Sequence, residues 1–306
     1  ICKKTDFMKM IELSLLKSFV MESGERYCLL INANSGIPLY YPNLYITTQL
    51  RNRSLSYSTM ESSLSGIAVL LKFLAERHEN LEQRFRNSSF FNDSELDAIR
   101  DYCQKKFRTT SIDFSSQRII PLVQHRELDN KVRAETEYVR LTVIAQFTKW
   151  LAELLISSKN DKNTQFQIEK MKKGLESRRP VKKNRNSEFN LKGLTKEQLG
   201  ILFEVFRPDS EVNPFIDKSV GIRNRLIFLL LYHLGLRGGE LLNIKIKDID
   251  FGKNHLLIAR RADDKSDPRK YQPLVKTLDR KIPVKDILIQ ELHSYITIVR
   301  RKIPSA

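Results

Sequence analysis

The chain has 306 residues, with 53 lysines and arginines against 36 acidic residues, and a net charge of +17. Its hydrophobic fraction of 41% excludes an intrinsically disordered protein and is enough for about two packed domains. Because the basic excess is spread along the whole chain, it favours a polyanionic partner.

Other classes of protein are disfavoured by the cysteines and the hydropathy pattern. Cys2, Cys28 and Cys103 are far apart and form no CxxC motif, so we predict neither a disulfide framework nor a zinc site. No apolar run approaches the roughly 18 residues of a membrane span, and the start lacks a signal-peptide pattern. The sequence therefore predicts a protein of a reducing cytoplasm without contact to a membrane.

Residues 1–50 are interpreted as an accessory segment. A β-hairpin is predicted in it, with strands at 27–31 and 37–41 around the turn residues 32–36.

Residues 51–157 are predicted to form a helical domain. Ser58 and Glu61 have the spacing of a capping box at the start of a helix whose apolar residues recur at three and four. Further helices are predicted near 94–107, capped by Asp93 or Ser94, and over 136–156.

Residues 158–190 are predicted to be a basic linker, since the hydrophobic period fades there and cations crowd together. Two interpretations remain open for these cations: a solvated connection, or a segment that crosses a DNA backbone. The cations that we consider for DNA contact are Arg178, Arg179, Lys182 and Lys183.

Residues 191–306 change from helices to short strands. Leu194 to Gln198 forms a capping box, and Gly221–Leu234 is apolar nearly all round, which predicts a buried helix. Strands are predicted at 244–251, 255–261 and 274–284, followed by a helix over 285–300. The predicted fold class is therefore mainly α with a small antiparallel β-sheet.

A glycine and an arginine follow the buried helix. Gly235 is suited to a left-handed C-cap, which places Arg237 at the start of a new short helix that contains Glu240. An arginine is always protonated and can bind two oxygens of a phosphate at once. Taken alone, this pair would be an ordinary surface ion pair.

The segment around Arg237 resembles the first catalytic-arginine motif of the tyrosine recombinase (phage integrase) family, since the buried helix, Gly-Leu-Arg, Glu-Leu and the strand ending in Asp-Ile-Asp follow in order. Residues 275–284 are similar to the family's β-hairpin segment, which makes Lys276 the expected general acid. The family commonly has glycine where this chain has Leu278, and the hairpin carries an insert at 263–272. Whether Lys276, Lys270 or Lys265 reaches the active site therefore stays open.

The resemblance implies that the enzyme cuts and rejoins DNA through a 3′-phosphotyrosyl intermediate, without a metal or nucleotide cofactor. Arg237 would stabilise the charge on the phosphate, Lys276 would protonate the departing 5′ oxygen, and Glu240 would orient Arg237. The expected fold is a helical core-binding (SAM-like) domain plus the N-terminal part of a mixed α+β catalytic domain over 191–306. Double-stranded DNA and a homo-tetramer on paired sites are the expected partners, in a bacterial cytoplasm.

The helical domain is also similar to the family's core-binding domain, at the residues Ser56 to Met60 and the helix after them. The DNA contacts expected at this helix N-terminus are Arg51, Arg53, Ser58 and Lys72. The alternative is that Ser58 only caps its helix.

The family's His-x-x-Arg motif and its tyrosine nucleophile are expected after the last residue of the sequence, and the context of Tyr271 and Tyr295 fits neither as nucleophile. We therefore expect a chain that is incomplete at its C-terminus and inactive as it stands. The main alternative is a non-catalytic DNA-binding regulator or accessory protein with the same fold. An RNA-binding helical protein is disfavoured because no RRM, KH or OB signature is visible.

Overall fold

The computed structural model describes residues 14–107, 131–156, 161–181, 193–275 and 277–302. The described residues are mainly helical with two small antiparallel sheets, which confirms the predicted fold class. The described residues fall into two compact units, one within residues 1–19 and 27–185 and the other within residues 20–26 and 186–306. No helix in the described part is both long enough and apolar enough to cross a membrane.

Within the described ranges, residues 14–177 form a two-stranded sheet and six helices. Their bounds are β1 Ser14–Val20, β2 Arg26–Asn32, α1 Tyr40–Tyr45, α2 Tyr57–Glu76, α3 Leu81–Arg86, α4 Asp93–Cys103, α5 Ala134–Leu155 and α6 Lys162–Ser177. Short π-helical and 3-10 turns over 46–53 join α1 to the segment before α2.

The predicted hairpin is short, because β2 pairs along its length with β1 and meets residues 37–39 only near its end, where the Asn32 N–H donates to Ile37 and the Leu39 N–H donates to Leu30. Those residues contribute one bridge, between Ile31 and Pro38, and the chain then enters α1. The buried side chain of Asn43 accepts from the Leu30 N–H and donates to the Leu30 carbonyl, both at 2.8 Å. The Asn43 side chain therefore takes the Leu30 N–H that a longer hairpin would have paired, while the Leu30 carbonyl also accepts from the Leu39 N–H at 2.9 Å.

The core of the first unit surrounds α5, which packs against α2, α4 and α6. Its apolar residues recur at three and four, as the sequence predicted, and bury one face of the helix. The largest fully buried side chains of α2 and α5 are Leu64, Ile67, Leu70, Leu74, Leu141, Ile144, Phe147 and Leu151. Burial of each such side chain contributes roughly 1.5–3 kcal/mol.

Two predicted helix starts are shifted. Helix α2 begins at Tyr57 with Ser56 as its N-cap, so Ser58 lies inside the first turn and forms no capping box. Helix α4 is capped by Asn92, whose side chain accepts from the Glu95 N–H while Glu95 accepts from the Asn92 N–H. Asparagine is as good an N-cap as aspartate or serine. Asn92 caps the helix because it lies three residues before Glu95, which is the spacing that a capping box requires.

The segment predicted as a linker contains a helix. Residues Lys162–Ser177 form α6, and its side chains Ile168, Met171 and Leu175 are buried against α4 and α5. These three residues have helical spacing, but the lysines between them hid the period. The described part of the predicted linker therefore belongs to the packed first unit.

The second unit combines helices with a three-stranded sheet. Its elements are α7 Lys196–Val205, α8 Lys218–Leu234, α9 Gly238–Leu241, β3 Ile249–Asp250, β4 His255–Ile258, β5 Arg280–Pro283 and α10 Asp286–Ser294. The capping box at the start of α7, Thr195 with Gln198, is confirmed. Helix α8 is buried along one face only, which corrects the prediction of a helix buried all round.

The sheet has the order β3-β4-β5 and is antiparallel, with Leu256 opposite Ile249 on one side and Ile282 on the other. All three strands are shorter than predicted. Residues 246–248 form a 3-10 turn because the side chain of Asp248 accepts from the Lys245 N–H at 2.8 Å. The sheet packs with α8 and α10 around one apolar core.

Candidate active site

Arg237 lies where the chain leaves helix α8. The helix ends at Leu234, Gly235 adopts the left-handed conformation with φ of 58°, and Leu236 is buried. Arg237 is the N-cap of the short helix α9, as the sequence predicted, and its side chain is 66% exposed. The buried residue before it anchors the turn, so the guanidinium projects from a packed core into solvent.

Glu240 is the buried counterpart of Arg237, with only 1% of its side chain exposed. Its carboxylate accepts from the Arg237 backbone N–H at 3.0 Å and lies 3.5 Å from the Arg237 guanidinium. The Thr277 hydroxyl donates to the same carboxylate at 2.8 Å. Glu240 therefore binds both the turn that carries Arg237 and the segment that precedes β5.

Arg280 at the start of β5 neutralises Glu240. Its two terminal nitrogens bind the two carboxylate oxygens at 3.0 and 2.9 Å. Together with the Arg237 and Thr277 hydrogen bonds, the Arg280 guanidinium lowers the pKa of Glu240 to about 2. Glu240 is thus a permanent anion at neutral pH and not a proton donor.

The candidate general acids are only partly placed. Lys276 lies outside the described residues, between the buried Val275 and Thr277. Lys265 and Lys270 are exposed, and the ammonium of Lys270 lies 5.8 Å from the centre of the Tyr271 ring. The choice among the three lysines therefore stays a prediction.

Gly239 allows α9 to lie against the segment that leads to residue 276. A Cβ atom at this position would lie 2.8 Å from the backbone oxygen of Leu274, closer than real Cβ contacts occur. Backbone cannot move aside as a flexible side chain can. The sequence places this glycine beside Arg237 but does not reveal the close approach.

Replacing Gly239 by alanine should lower the free energy of unfolding by about 1–3 kcal/mol, because α9 must shift away from Leu274. Gly238→Ala is the matched control, since its Cβ would meet no atom within 4 Å. Denaturant unfolding followed by circular dichroism measures both variants. Equal stabilities of the two variants would contradict the close approach.

The candidate DNA contacts of the first unit lie near the start of α2 or on its surface. Ser58 and Arg53 are exposed, and Arg51 lies over the Tyr27 ring at 5.4 Å. The ammonium of Lys72 lies 4.7 Å from the centre of the Phe107 ring. Their role toward DNA stays a prediction.

The arginines at the end of α6 have partners inside the first unit. Arg178 donates to Asp97 at 2.8 Å and also contacts Asp93, while Arg179 lies over the Tyr138 ring at 5.0 Å. Both side chains thus hold α6 against its neighbours, whatever they contribute toward DNA. The other two candidates, Lys182 and Lys183, lie outside the described residues.

Arg280, Thr277 and Asp248 lie within the matching sequence motifs, but no role or contact was predicted for them. Asp248 forms an ion pair with Arg261, whose side chain is 17% exposed. Glu240 binds Arg280 and Asp248 binds Arg261. Each arginine lies 13 or more positions later in the chain, so both ion pairs are tertiary contacts. Within the described ranges, no cluster of three or more His, Cys, Asp or Glu side chains has the arrangement of a metal site.

Residues 192–301 match the model of the phage integrase family. The chain is 36% identical to the tyrosine recombinase XerA of Pyrococcus furiosus over 105 residues, which cover 34% of this chain and 28% of the relative. It is 33% identical to the tyrosine recombinase XerC-like of Caldanaerobacter subterraneus over 113 residues, 34% of this chain and 29% of the relative. The chain thus matches less than a third of the length of these relatives, and no solved structure matches it. Over residues 192–301, the chain is therefore similar to the phage integrase family of tyrosine recombinases.

Proposed function

We propose that this protein acts in site-specific DNA recombination, cutting and rejoining DNA through a 3′-phosphotyrosyl intermediate. One observation carries the proposal: an exposed arginine, Arg237, is held at a helix break by the buried Glu240 inside the family-matched region. An integration or excision reaction of a mobile element is the proposed setting.

In the proposed reaction, Arg237 binds the non-bridging oxygens of the attacked phosphate. Negative charge grows on these oxygens in the transition state, and a positioned guanidinium stabilises it without reorganisation. The hydrogen bond from the Arg237 N–H to Glu240 fixes the backbone from which the side chain projects. Glu240 therefore orients Arg237 and takes no part in proton transfer.

The departing 5′ oxygen needs a proton, because a free alkoxide is a poor leaving group. We propose Lys276 as its donor, with Lys270 and Lys265 as alternatives. No nucleophile is assigned among the described tyrosines.

Duplex DNA is the proposed partner, and a homo-tetramer on paired sites is the proposed assembly. The net charge of +17 supports an interaction with the phosphate backbone. The proposed contacts in the first unit and the segment after it are Arg51, Arg53, Ser58, Lys72, Arg178, Arg179, Lys182 and Lys183.

The test is Arg237→Ala in the full-length protein with a nicked suicide duplex, which traps the covalent complex. We expect the rate of covalent-complex formation to fall by at least 10²–10³-fold, as roughly expected for loss of one charge-stabilising donor, while duplex affinity stays largely intact. Arg223→Ala is the control, because Arg223 is an exposed arginine on helix α8 of the same unit. Normal complex formation by Arg237→Ala would refute the assignment.

A second candidate function, a non-catalytic DNA-binding regulator, is favoured by the net positive charge. It predicts tight duplex binding by the wild-type protein with no covalent complex on any suicide substrate. Measuring the affinity for duplex DNA and for RNA at the same salt concentration distinguishes both DNA functions from an RNA-binding protein.

A further inference from the structure

We propose that Arg280 is a positioning residue for DNA cleavage, which holds Glu240 and thereby keeps the Arg237 guanidinium free to bind the phosphate. This inference rests on the proposed function. It concerns a residue on β5, 43 positions after Arg237, that contacts the Arg237 turn only through the Glu240 carboxylate in the described contacts.

The geometry divides the Glu240 carboxylate unequally between the two arginines. Arg280 binds both oxygens at 3.0 and 2.9 Å, whereas the Arg237 guanidinium approaches one oxygen at 3.5 Å. Arg280 therefore neutralises most of the negative charge of the Glu240 carboxylate. Arg237 keeps a side chain that is 66% exposed, with donors that can turn toward an anion.

Loss of Arg280 would reverse this division. A buried carboxylate without a strong partner is costly, so Glu240 would recruit the nearest cation. Among the described residues, that cation is the Arg237 guanidinium, 3.5 Å away. Arg237 would then form an inward ion pair and compete with its own role at the phosphate.

Arg280 also joins two parts of the proposed site. One terminal nitrogen of Arg280 donates to the Thr277 hydroxyl at 2.7 Å, and that hydroxyl donates to Glu240 at 2.8 Å. Thr277 directly follows Lys276 in the chain. The same guanidinium therefore stabilises the Arg237 turn and the segment that carries the candidate general acid.

The two-oxygen contact requires an arginine. A lysine places a single point charge and cannot bind both oxygens with a planar fork. Three of the five N–H donors of Arg280 bind Glu240 and Thr277, so its guanidinium is engaged mainly with these two residues.

The test compares Arg280→Met and Arg280→Lys in the full-length protein with a nicked suicide duplex under single-turnover conditions. We expect Arg280→Met to lower the cleavage rate by about 10²-fold, the loss that a misplacement of about 1 Å produces, with duplex Kd changed less than threefold. Arg280→Lys should recover part of the rate. Arg225→Met is the matched control, because Arg225 binds Glu291 of the same unit at 3.1 Å and should leave the rate unchanged.

A double-mutant cycle with Glu240→Gln separates positioning from a direct role. If Arg280 acts through Glu240, the rate of Glu240→Gln/Arg280→Met should equal that of Glu240→Gln alone, because no carboxylate charge remains to bind Arg237. The double variant also removes the unpaired buried charge, so it keeps the test valid if Arg280→Met alone does not fold. Multiplicative losses, or a weaker duplex Kd that matches the lost rate, would overturn the proposal.

The pH dependence gives a second readout that a purely structural role would not change. The described groups that face the Glu240 carboxylate are the guanidinium groups of Arg237 and Arg280 and the Thr277 hydroxyl. Without Arg280, burial would raise the pKa of Glu240. Protonation of Glu240 at acidic pH would release Arg237, so the cleavage rate of Arg280→Met should recover toward acidic pH, a rise that the wild type lacks.

The wild-type protein and Arg237→Ala, measured side by side, distinguish the two possible failures. If the wild type forms no covalent complex, or Arg237→Ala forms it normally, the proposed function fails and the Arg280 inference fails with it. If Arg237→Ala is inactive while Arg280→Met cleaves at the wild-type rate, only the Arg280 inference is overturned.

Discussion

Replacing Asp248 by alanine should lower the free energy of unfolding of the second unit by about 3–5 kcal/mol, the typical cost of breaking a buried ion pair. The Asp248 side chain is 2% exposed and binds both terminal nitrogens of Arg261, as well as the Lys245 N–H. The variant would leave the Arg261 guanidinium, 17% exposed, without its carboxylate.

Asp250→Ala is the matched control, because Asp250 belongs to the same Asp-Ile-Asp sequence but is exposed. Among the described residues, its side chain accepts from two N–H groups of the following turn, so we expect a loss below about 1 kcal/mol. Urea unfolding followed by circular dichroism measures both variants. Similar losses for the two aspartates would show that the buried pair contributes little to stability.

Replacing Phe147 by alanine should lower the free energy of unfolding of the first unit by about 3–5 kcal/mol, the usual range for a buried phenylalanine. Its ring is 1% exposed and packs edge-on against Tyr45 and in a stacked arrangement with Trp150. The truncation would remove the centre of the packing around α5 and leave a cavity.

The matched control is Phe166→Ala on α6, where the same ring is 64% exposed and the expected change is within about 0.5 kcal/mol. Trp150 is the single tryptophan of the chain, so the midpoint of its fluorescence transition follows the first unit. Phe147→Ala should shift that midpoint. An unchanged midpoint would mean that the helical bundle tolerates the loss of its central ring.

The elements with a strong local signal were predictable from the sequence. Helices α2 and α5 repeat their apolar residues at three and four over many turns, and Gly235 ends α8 as the left-handed C-cap that was expected. The turn that exposes Arg237 follows from these features, whereas the burial of Glu240 was not predicted.

The remaining differences arise from contacts between residues far apart in the chain. Asn43 takes the Leu30 N–H, and the predicted second strand of the hairpin ends there after its bridge between Ile31 and Pro38. Helix α6 was hidden because its lysines surround the buried Ile168, Met171 and Leu175. The pairing of Arg280 with Glu240 joins residues 40 positions apart, and no local spacing indicates such a contact.

The burial of Glu240 makes the two proposed steps of the protein respond differently to ionic strength. At about 0.15 M salt, charges in solvent more than roughly 8 Å apart are largely screened, whereas a buried pair is screened much less. The contact between Glu240, 1% exposed, and Arg280 should therefore persist as salt rises. Attachment of the exposed cations to a DNA backbone weakens steeply over the same range. Added salt would thus reduce occupancy of the duplex while the bound fraction continues to react at an almost constant rate.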